Sequence, residues 1–208
     1  MRKYALLTIH KTIWYNSIMK NVKMKEIQAD KVYRYFEQGS TILIITHDGN
    51  RANIMPASYH MMLDESGVVA IGIGAWAYSR RTLLKTGECV LAIPTVEILE
   101  TTVRAGNCSG RELDKFQKFG LTALPAKTVK PPILGEAFIN AECVLIDDDV
   151  ADRYNVVILS IKKAWLNEAI TDKRLFHHNG NGIFTIDGGQ KDLADLMSLW
   201  PEHTANRD

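Results

Sequence analysis

Residues 41–58 have the sequence TILIITHDGNRANIMPAS, which predicts a β-hairpin and thereby decides the fold class. The first six residues, Thr41–Thr46, are apolar and largely β-branched, as is typical of a buried strand. Asp48-Gly49 is a tight-turn dipeptide, so Arg51–Ser58 is expected to return antiparallel to the first strand. Proline has no N–H to donate, so Pro56 places the returning strand at a sheet edge or at a bulge. Backbone groups left free there can bind a planar heterocycle with several donors and acceptors.

A second feature follows the hairpin, at the start of a predicted short helix. The apolar run Val68–Gly74 is a further strand, and the helix begins with Ser-Arg-Arg-Thr, residues 79–82, and ends at Gly87. Ser79 is predicted to be its N-cap residue. The first turn of a helix has backbone N–H groups without partners and a partial positive charge, and here it also carries hydroxyls and two arginines. The pattern predicts a site for a ligand's phosphate group.

The remaining elements are mostly strands and lack the regular alternation of a βαβ fold. This order predicts a mostly β domain with inserted helices, arranged as a Greek-key barrel. The predicted strands are Glu88–Ile93, Ala137–Ile146 and Asn155–Trp165, and the predicted helices are Ala29–Gln38, Thr95–Gly106 with Thr95 as its cap, and Arg111–Phe119.

Two local patterns invite other interpretations. Gly72-x-Gly74 lacks the third glycine and the immediate helix of a dinucleotide-binding motif, so we exclude a Rossmann fold. The acid-rich link Asp147–Arg153 contains enough carboxylates to suggest a metal site, but such residues are common in turns, so we predict a solvated hairpin loop and no metal. The proline-punctuated segment Leu121–Pro132 is predicted to be a surface connection.

Composition limits the function to local sites. The 208 residues include 25 basic and 24 acidic ones, and a formal charge of +1 favours neither nucleic acid nor an anionic membrane. The three cysteines have no zinc-ligand spacing and are odd in number, which is typical of free thiols in a reducing cytoplasm. No apolar run approaches the roughly 18 residues of a membrane span. We therefore predict a cytoplasmic protein.

The first 25 residues differ from the rest because their charged side chains are all basic. A signal peptide is one interpretation, but the apolar part Tyr4–Ile9 is too short and lacks a convincing cleavage site. Met19 and Met24 are plausible alternative starts. We predict that residues 1–25 are a poorly ordered or misannotated extension and that residues 26–208 form a single domain.

From Met24 to Gly189 the chain resembles the flavin reductase-like, FMN-binding split-barrel family, most closely its flavoredoxin-type members. The resemblance is carried by NIMPAS at residues 53–58, SRRT at 79–82, SGRELDKF at 109–116 and HHNGNGIF at 177–184. It implies a six-stranded split β-barrel that forms homodimers and binds FMN near the subunit boundary. Tyr59 stands where many relatives carry tryptophan.

The resemblance also implies roles for individual residues. The NIMPAS segment would contact the pyrimidine edge of the flavin, and the SRRT segment would hold the ribityl phosphate. The SGRELDKF region would approach the flavin from the same or the partner subunit, and the paired histidines would line the nicotinamide side. The implied cofactor-binding residues are Asn53, Ile54, Met55, Pro56, Ala57, Ser58, Ser79, Arg80, Arg81, Thr82, Cys108, Ser109, Lys115 and Phe116, with His177 and His178 beside the nicotinamide.

Each of these residues also has a structural interpretation. Ser79 and Thr82 are equally explained as a helix cap, and the two arginines as a solvated face. Cys108 is equally explained as a small buried apolar residue. The two histidines point to opposite sides if their segment is extended, so we expect at most one of them to act.

The implied function is passage of a hydride from NADH or NADPH to FMN and of electrons on to an unidentified acceptor. The flavin performs this chemistry, so no catalytic acid or base is assigned. Tightly held FMN would make the protein an electron carrier, whereas loosely held flavin would make it a reductase. The alternative from a different class is a non-catalytic flavin-binding or sensing protein on the same barrel.

Overall fold

The computed structural model describes residues 22–193 and 196, and its main feature is a curled antiparallel β-sheet. The strands of the described part are β1 (Met24–Ile27), β2 (Ile42–His47), β3 (Ala52–Ala57), β4 (His60–Met62), β5 (Val68–Gly72), β6 (Glu88–Ile93), β7 (Ala123–Leu124), β8 (Ile133–Leu134), β9 (Ile139–Asp147), β10 (Val156–Asn167), β11 (Phe176–His178) and β12 (Phe184–Ile186). The main sheet has the order β3-β2-β6-β9-β10-β5-β4, and β1 also pairs with β10. β7 pairs with β8, and β11 pairs with β12.

Six strands of the main sheet have five or more residues and form the barrel wall, namely β2, β3, β5, β6, β9 and β10. β5 and β6 are consecutive along the chain but are not neighbours in the sheet, because β6 lies between β2 and β9. The chain after β5 therefore returns to pair beside β2 instead of beside β5, and such a return is typical of the Greek-key arrangement that the sequence predicted. β10 is the longest strand and pairs along its length with β9, while its two ends pair with β5 and β1.

The hairpin of residues 41–58 is confirmed. β2 and β3 pair antiparallel with Ile42 opposite Ala57 and His47 opposite Ala52. β3 is an edge strand, as Pro56 predicted. The predicted hairpin at the acid-rich link is also confirmed, since β9 and β10 pair antiparallel across it.

Both faces of β2 and β6 are buried, which explains why their sequences are continuously apolar rather than alternating. Ile42 and Ile44 pack in one core cluster together with residues of β5, β9 and β10. Leu43 and Ile45 point the other way, into a second cluster that contains Phe116. Helices and loops therefore cover the outer face of this part of the barrel.

Five α-helices lie between the strands of the described part: α1 (Tyr33–Phe36), α2 (Tyr78–Thr86), α3 (Leu99–Gly106), α4 (Lys115–Phe119) and α5 (Ala151–Tyr154). The predicted helix Ala29–Gln38 is observed as a 3-10 turn, Ala29–Lys31, followed by α1. Thr95 precedes a 3-10 turn, Val96–Ile98, rather than α3 itself, and its buried hydroxyl makes no capping bond. The prediction of a continuous helix at the first site was wrong. At the second site Thr95 has the N-cap position of the 3-10 turn that leads into α3, but the expected side-chain cap is absent.

The prediction that Ser79 is the N-cap of α2 was wrong. The N-cap residue is Ala77, which has no side-chain acceptor, and Ser79 lies inside the first turn. Its buried hydroxyl accepts a hydrogen bond of 2.8 Å from Asn53 Nδ2, so it is engaged by β3 instead of by the helix backbone. The predicted end of the helix is confirmed, since Gly87 takes the left-handed conformation with a φ of 71°.

The predicted helix Arg111–Phe119 begins four residues later than expected. Asp114 is its N-cap residue, and its carboxylate accepts a 2.9 Å bond from Gln117 N. Arg51 Nη2 donates to the carbonyls of Gly110 and Arg111 at 2.6 and 2.9 Å. Because these carbonyls are held by the β2–β3 hairpin, the chain before Asp114 follows the hairpin rather than a helix.

Most of the predicted N-terminal extension, residues 1–21, lies outside the described residues. Met24 and Lys25, at its end, belong to β1. No helix among residues 22–193 is long and apolar enough to cross a membrane. Within the same part of the chain, no group of three or more histidine, cysteine or acidic side chains is placed to hold a metal ion.

Candidate functional site

A cavity of about 900 Å³ opens beside the end of β3. Its walls are formed by the last residues of β3, the C-terminal half of α3, the end of β5, the end of α5 with the loop after it, and the segment around β11 and β12. The lining residues are Thr41, Met55, Pro56, Ala57, Ser58, Tyr59, Gly72, Ile73, Gly74, Trp76, Thr102, Val103, Gly106, Asn107, Tyr154, Asn155, Val156, His178, Gly182 and Phe184. This volume lies within the range of cofactor sites, and the lining is mainly apolar.

The edge position of β3 leaves backbone groups available to a ligand. Asp48 N donates to Arg51 O, so these residues form a hydrogen-bonded pair of the β2–β3 ladder. In an antiparallel ladder such pairs alternate with pairs whose N–H and C=O groups point away from the partner strand. By this alternation the backbone groups of Ile54, Pro56 and Ser58 point away from β2. Those of Pro56 and Ser58 lie where the strand lines the cavity.

Helix α3 approaches β3 closely because it ends in a glycine. A Cβ atom on Gly106 would lie 2.8 Å from Pro56 Cγ, closer than carbon atoms pack. The absence of a side chain lets the helix lie against the proline that interrupts the strand. The cavity wall is therefore continuous from β3 to α3.

Two hydroxyls in the lining lack hydrogen-bond partners among the described residues. Thr41 is 4% exposed and Thr102 is 3% exposed, and both Oγ1 atoms are buried without a partner. An unpaired buried polar group costs about 1–3 kcal/mol, so such groups mark places where a ligand or water completes the structure. These two oxygens are buried in the wall, and the groups that the cavity presents are apolar side chains and free strand-edge groups. A flat heterocycle with polar edges fits this set of groups.

The residues predicted to bind phosphate lie at the start of α2, beside the cavity rather than in its lining. Arg80 is buried, and its Nη2 donates to Asp152 at 2.7 Å while its Nε has no partner among the described residues. Thr82 is buried and donates to Tyr78 O at 3.2 Å. Arg81 is exposed to solvent. The bond from Asn53 to Ser79 joins this helix start to β3.

The other predicted residues are divided between β3 and the layer behind it. Asn53 and Ile54 are buried in β3, whereas Met55–Ser58 line the cavity. Lys115 and Phe116 are buried on the outer side of β3 and do not line the cavity. Lys115 Nζ donates to Ile54 O at 2.9 Å and to Ala105 O at 2.7 Å, and burial lowers the pKa of this lysine below its usual value.

Cys108 and Ser109 are placed by local contacts. Cys108 Sγ lies 3.6 Å from Arg104 O and 3.7 Å from Ala105 O, at the end of α3. Ser109 Oγ accepts a bond of 3.2 Å from Arg111 N. Neither side chain lines the cavity, although Asn107 beside them does.

The side chains of the two histidines point to opposite sides of their segment, as expected for an extended strand. His178 lines the cavity, and its ring lies 4.8 Å from the Phe184 ring. His177 points away, with Nδ1 3.2 Å from Gly39 O and Nε2 3.0 Å from Asp187 Oδ1. Of the pair, only His178 is available to a ligand in this cavity.

The sequence did not predict several residues of the cavity. Tyr59 and Trp76 are 80% and 82% exposed at its mouth, and Tyr154 is also exposed there. Single threonines such as Thr41 and Thr102 have no sequence pattern that separates them from other core threonines. Tyr59 was noted in the sequence only because it stands where many relatives carry tryptophan.

Comparison with known proteins decides the family. The sequence model of the flavin reductase like domain matches residues 34–182, which is most of the chain. The chain belongs to the flavin reductase-like family. An uncharacterized protein of Archaeoglobus fulgidus is 31% identical to this flavin reductase-like protein over 156 residues, which are 71% of this chain and 88% of the relative.

Solved structures establish the same fold. The FMN-binding domain of a flavin reductase-like enzyme from Shewanella baltica matches with a TM-score of 0.76 at 21% identity, covering 82% of this chain and 97% of the other. The flavoredoxin of Desulfovibrio vulgaris matches with a TM-score of 0.66 at 22% identity, covering 74% and 89%. The predicted split-barrel fold of this flavin reductase-like protein is confirmed.

Proposed function

We propose that the protein binds FMN in the cavity, accepts a hydride from NADH or NADPH, and passes electrons to an acceptor. The observation that carries this proposal is the cavity itself, in a chain of the flavin reductase-like family. It joins a mainly apolar space to free backbone groups of a strand edge. Two of the solved relatives are FMN-binding and flavoredoxin proteins by name.

The flavin ring is proposed to lie against the end of β3. Its pyrimidine edge carries alternating donors and acceptors, which match the free backbone groups of Pro56 and Ser58 and the Ser58 hydroxyl. The side chains of Thr41 and Thr102 would contribute their methyl groups to the wall, since their hydroxyl oxygens are buried. Apolar contact with Met55 and Val103 would exclude water from the ring faces.

The phosphate is proposed to lie at the start of α2. The first N–H groups of this nine-residue helix have no intrahelical acceptor, and its N-cap residue has no side chain to accept from them. Arg81 is exposed in the same turn and can reach an anion as a flexible cation. Ser79, Arg80 and Thr82 would then hold the helix start in place through their contacts with Asn53, Asp152 and Tyr78.

In this proposal the protein residues position two rings and exclude water. Bound FMN supplies a ring that takes up two electrons with a proton as hydride and releases the electrons again. His178 and Phe184, whose rings lie 4.8 Å apart, line the cavity and would stack against a nicotinamide. Because the flavin would perform the hydride transfer, no catalytic acid or base is assigned among the lining residues.

A second copy of the chain is the proposed partner. Tyr59 and Trp76 are large apolar side chains exposed at the cavity mouth, and a homodimer would cover them. A cytoplasmic location accords with the free cysteines Cys89, Cys108 and Cys143.

The test of the function is spectroscopic. The purified protein, supplied with FMN, is expected to show a bound-flavin absorption spectrum that NADH or NADPH bleaches under anaerobic conditions. A protein that takes up no FMN would refute the proposal. Bound FMN that neither nicotinamide bleaches, although dithionite does, would instead support a flavin-binding or sensing protein without turnover.

The phosphate site has its own prediction. Arg81→Ala is expected to weaken FMN binding by about tenfold and riboflavin binding much less, because riboflavin lacks the phosphate. Fluorescence titration with both flavins measures the two dissociation constants. Lys85→Ala is the control, since Lys85 is an exposed cation near the other end of α2. Equal losses for FMN and riboflavin would show that the phosphate does not bind at Arg81.

A further inference from the structure

Lys115 is a buried cation that is held by backbone carbonyls rather than by a carboxylate of the described residues. The residue is 3% exposed, and its Nζ donates to two backbone carbonyls, Ile54 O and Ala105 O. No ion pair among residues 22–193 and 196 includes it. Carbonyl dipoles solvate an ammonium group only partly, and a buried charge is normally paired. The site is thus one where an anion placed nearby would be stabilised.

The position of this charge relates it directly to the cavity. Ile54 O belongs to the same outward-pointing set of β3 groups as Pro56 O, which lies two residues further along the strand. Two residues of extended chain span about 7 Å. Ala105 belongs to α3 and precedes Gly106, which lines the cavity. Lys115 therefore lies behind the junction of β3 and α3, the wall against which the ring is proposed to lie.

We propose that Lys115 is a positioning residue that stabilises the reduced, anionic form of a flavin bound against β3. The inference rests on the proposed function, because it needs FMN in the cavity. When NAD(P)H transfers a hydride to oxidised FMN, NAD(P)⁺ is released. The flavin ring gains two electrons and one proton, so it acquires one negative charge. That charge resides mainly on the pyrimidine half of the ring, the half proposed to face Pro56 and Ser58.

The size of the effect follows from the distance. With Lys115 Nζ 2.9 Å from Ile54 O and the anion beside Pro56 O, the two charges lie roughly 7–13 Å apart, and an effective dielectric of about 20 favours the anion by about tenfold or more in affinity. Oxidised FMN has a neutral ring and gains much less from the same charge. Lys115 is therefore expected to raise the reduction potential of the bound flavin relative to a variant without the charge.

The experiment measures the potential of bound FMN by anaerobic reduction with a reference dye, in the full-length protein. Lys115→Gln removes the charge but keeps an amide that can donate to the same carbonyls, and Lys115→Met removes both. Each is expected to lower the potential by about 30 mV, which equals a tenfold change in the ratio of affinities for reduced and oxidised FMN. Lys118→Met is the matched control, because Lys118 is an exposed cation on the same helix, α4. It is expected to shift the potential much less.

The outcomes separate the inference from the proposed function. If the wild-type protein binds no FMN, the proposed function fails. If FMN binds and the neutral variants match Lys118→Met in potential, or lose affinity equally for both redox forms, Lys115 is only structural and the inference is overturned. Should neither neutral variant fold, Lys115→Arg decides. If the bound flavin has the same reduction potential in Lys115→Arg as in wild type, the inference is supported. If its potential falls by about 30 mV although the charge is retained, the inference is overturned.

Discussion

Replacing Glu142 with glutamine is expected to lower the free energy of unfolding by about 2–3 kcal/mol. Glu142 lies fully buried in β9 and accepts bonds from Lys127 N, from the N and Oγ1 of Thr128, and from Trp165 Nε1. All of these partners are donors, and the two shortest bonds, from Thr128, measure 2.5 Å. Glutamine has the same shape but must turn an NH₂ group toward donors. Urea denaturation at neutral pH measures the loss.

The same carboxylate predicts a pH dependence. Burial raises the pKa of Glu142, but the bonds from Thr128, Lys127 and Trp165 outweigh burial and hold the pKa below its ordinary value of 4.5. A carboxyl group whose pKa is lower in the folded state stabilises the fold above the unfolded pKa, and this contribution is lost as the pH falls through the folded pKa. The stability gap between wild type and Glu142→Gln is therefore expected to narrow below about pH 4.5.

Glu97→Gln is the control for both measurements, because Glu97 is exposed at a 3-10 turn. It is expected to change stability by less than about 0.5 kcal/mol at any pH. The network contributes little if Glu142→Gln lowers the free energy of unfolding by no more than this. The same follows if the stability difference between wild type and Glu142→Gln stays constant in acid.

Gly110→Ala is expected to damage both the fold and the proposed site. A Cβ atom on Gly110 would lie 2.1 Å from Asn53 Oδ1 and 2.5 Å from Asn53 Cγ. Asn53 is buried and bonded to Ser79, while the Gly110 carbonyl is held by Arg51, so neither side can move freely. Such overpacking costs about 1–3 kcal/mol. Because the displaced amide joins β3 to α2, FMN binding is expected to weaken by about tenfold or more.

Thermal melting and FMN titration test this prediction together. Gly188→Ala is the matched control, since a Cβ atom there meets nothing within 4 Å. Asn53→Ala should relieve the clash, so its effect in the Gly110→Ala background is expected to be much smaller than in the wild type. Additive effects of the two substitutions would mean that the clash is absorbed elsewhere.

The sequence predicted those parts of the fold that depend on local chemistry. The β2–β3 hairpin follows from a β-branched run, the Asp48-Gly49 turn and Pro56, and all three lie within 18 consecutive residues. Gly87 was predicted to end its helix, and its φ of 71° is a left-handed conformation that favours glycine. The ligand-binding strand end Met55–Ser58 was also predicted locally, because Pro56 interrupts the strand within the segment itself.

Features that depend on distant partners were missed. Lys115 was named through the family resemblance, but its burial and its bond to Ile54 O, 61 positions earlier, were not predicted. Ser79 looked like a helix cap, but its hydroxyl is taken by Asn53, 26 residues away. The segment Leu121–Pro132 was predicted to be a surface connection, yet Glu142 binds its backbone and Val129 is buried. In each case a tertiary contact decides the structure, and one local sequence window does not contain that contact.

The hydrogen bond between Asn53 and Ser79 has a consequence for ligand choice. It joins the strand proposed to hold a ring to the helix proposed to hold a phosphate, and both partners are buried. The separation of the two subsites is therefore a fixed length of the folded protein rather than an adjustable one. A ligand engages both only if the chain between its ring and its phosphate spans that length, so selection depends on linker length as well as on chemical groups.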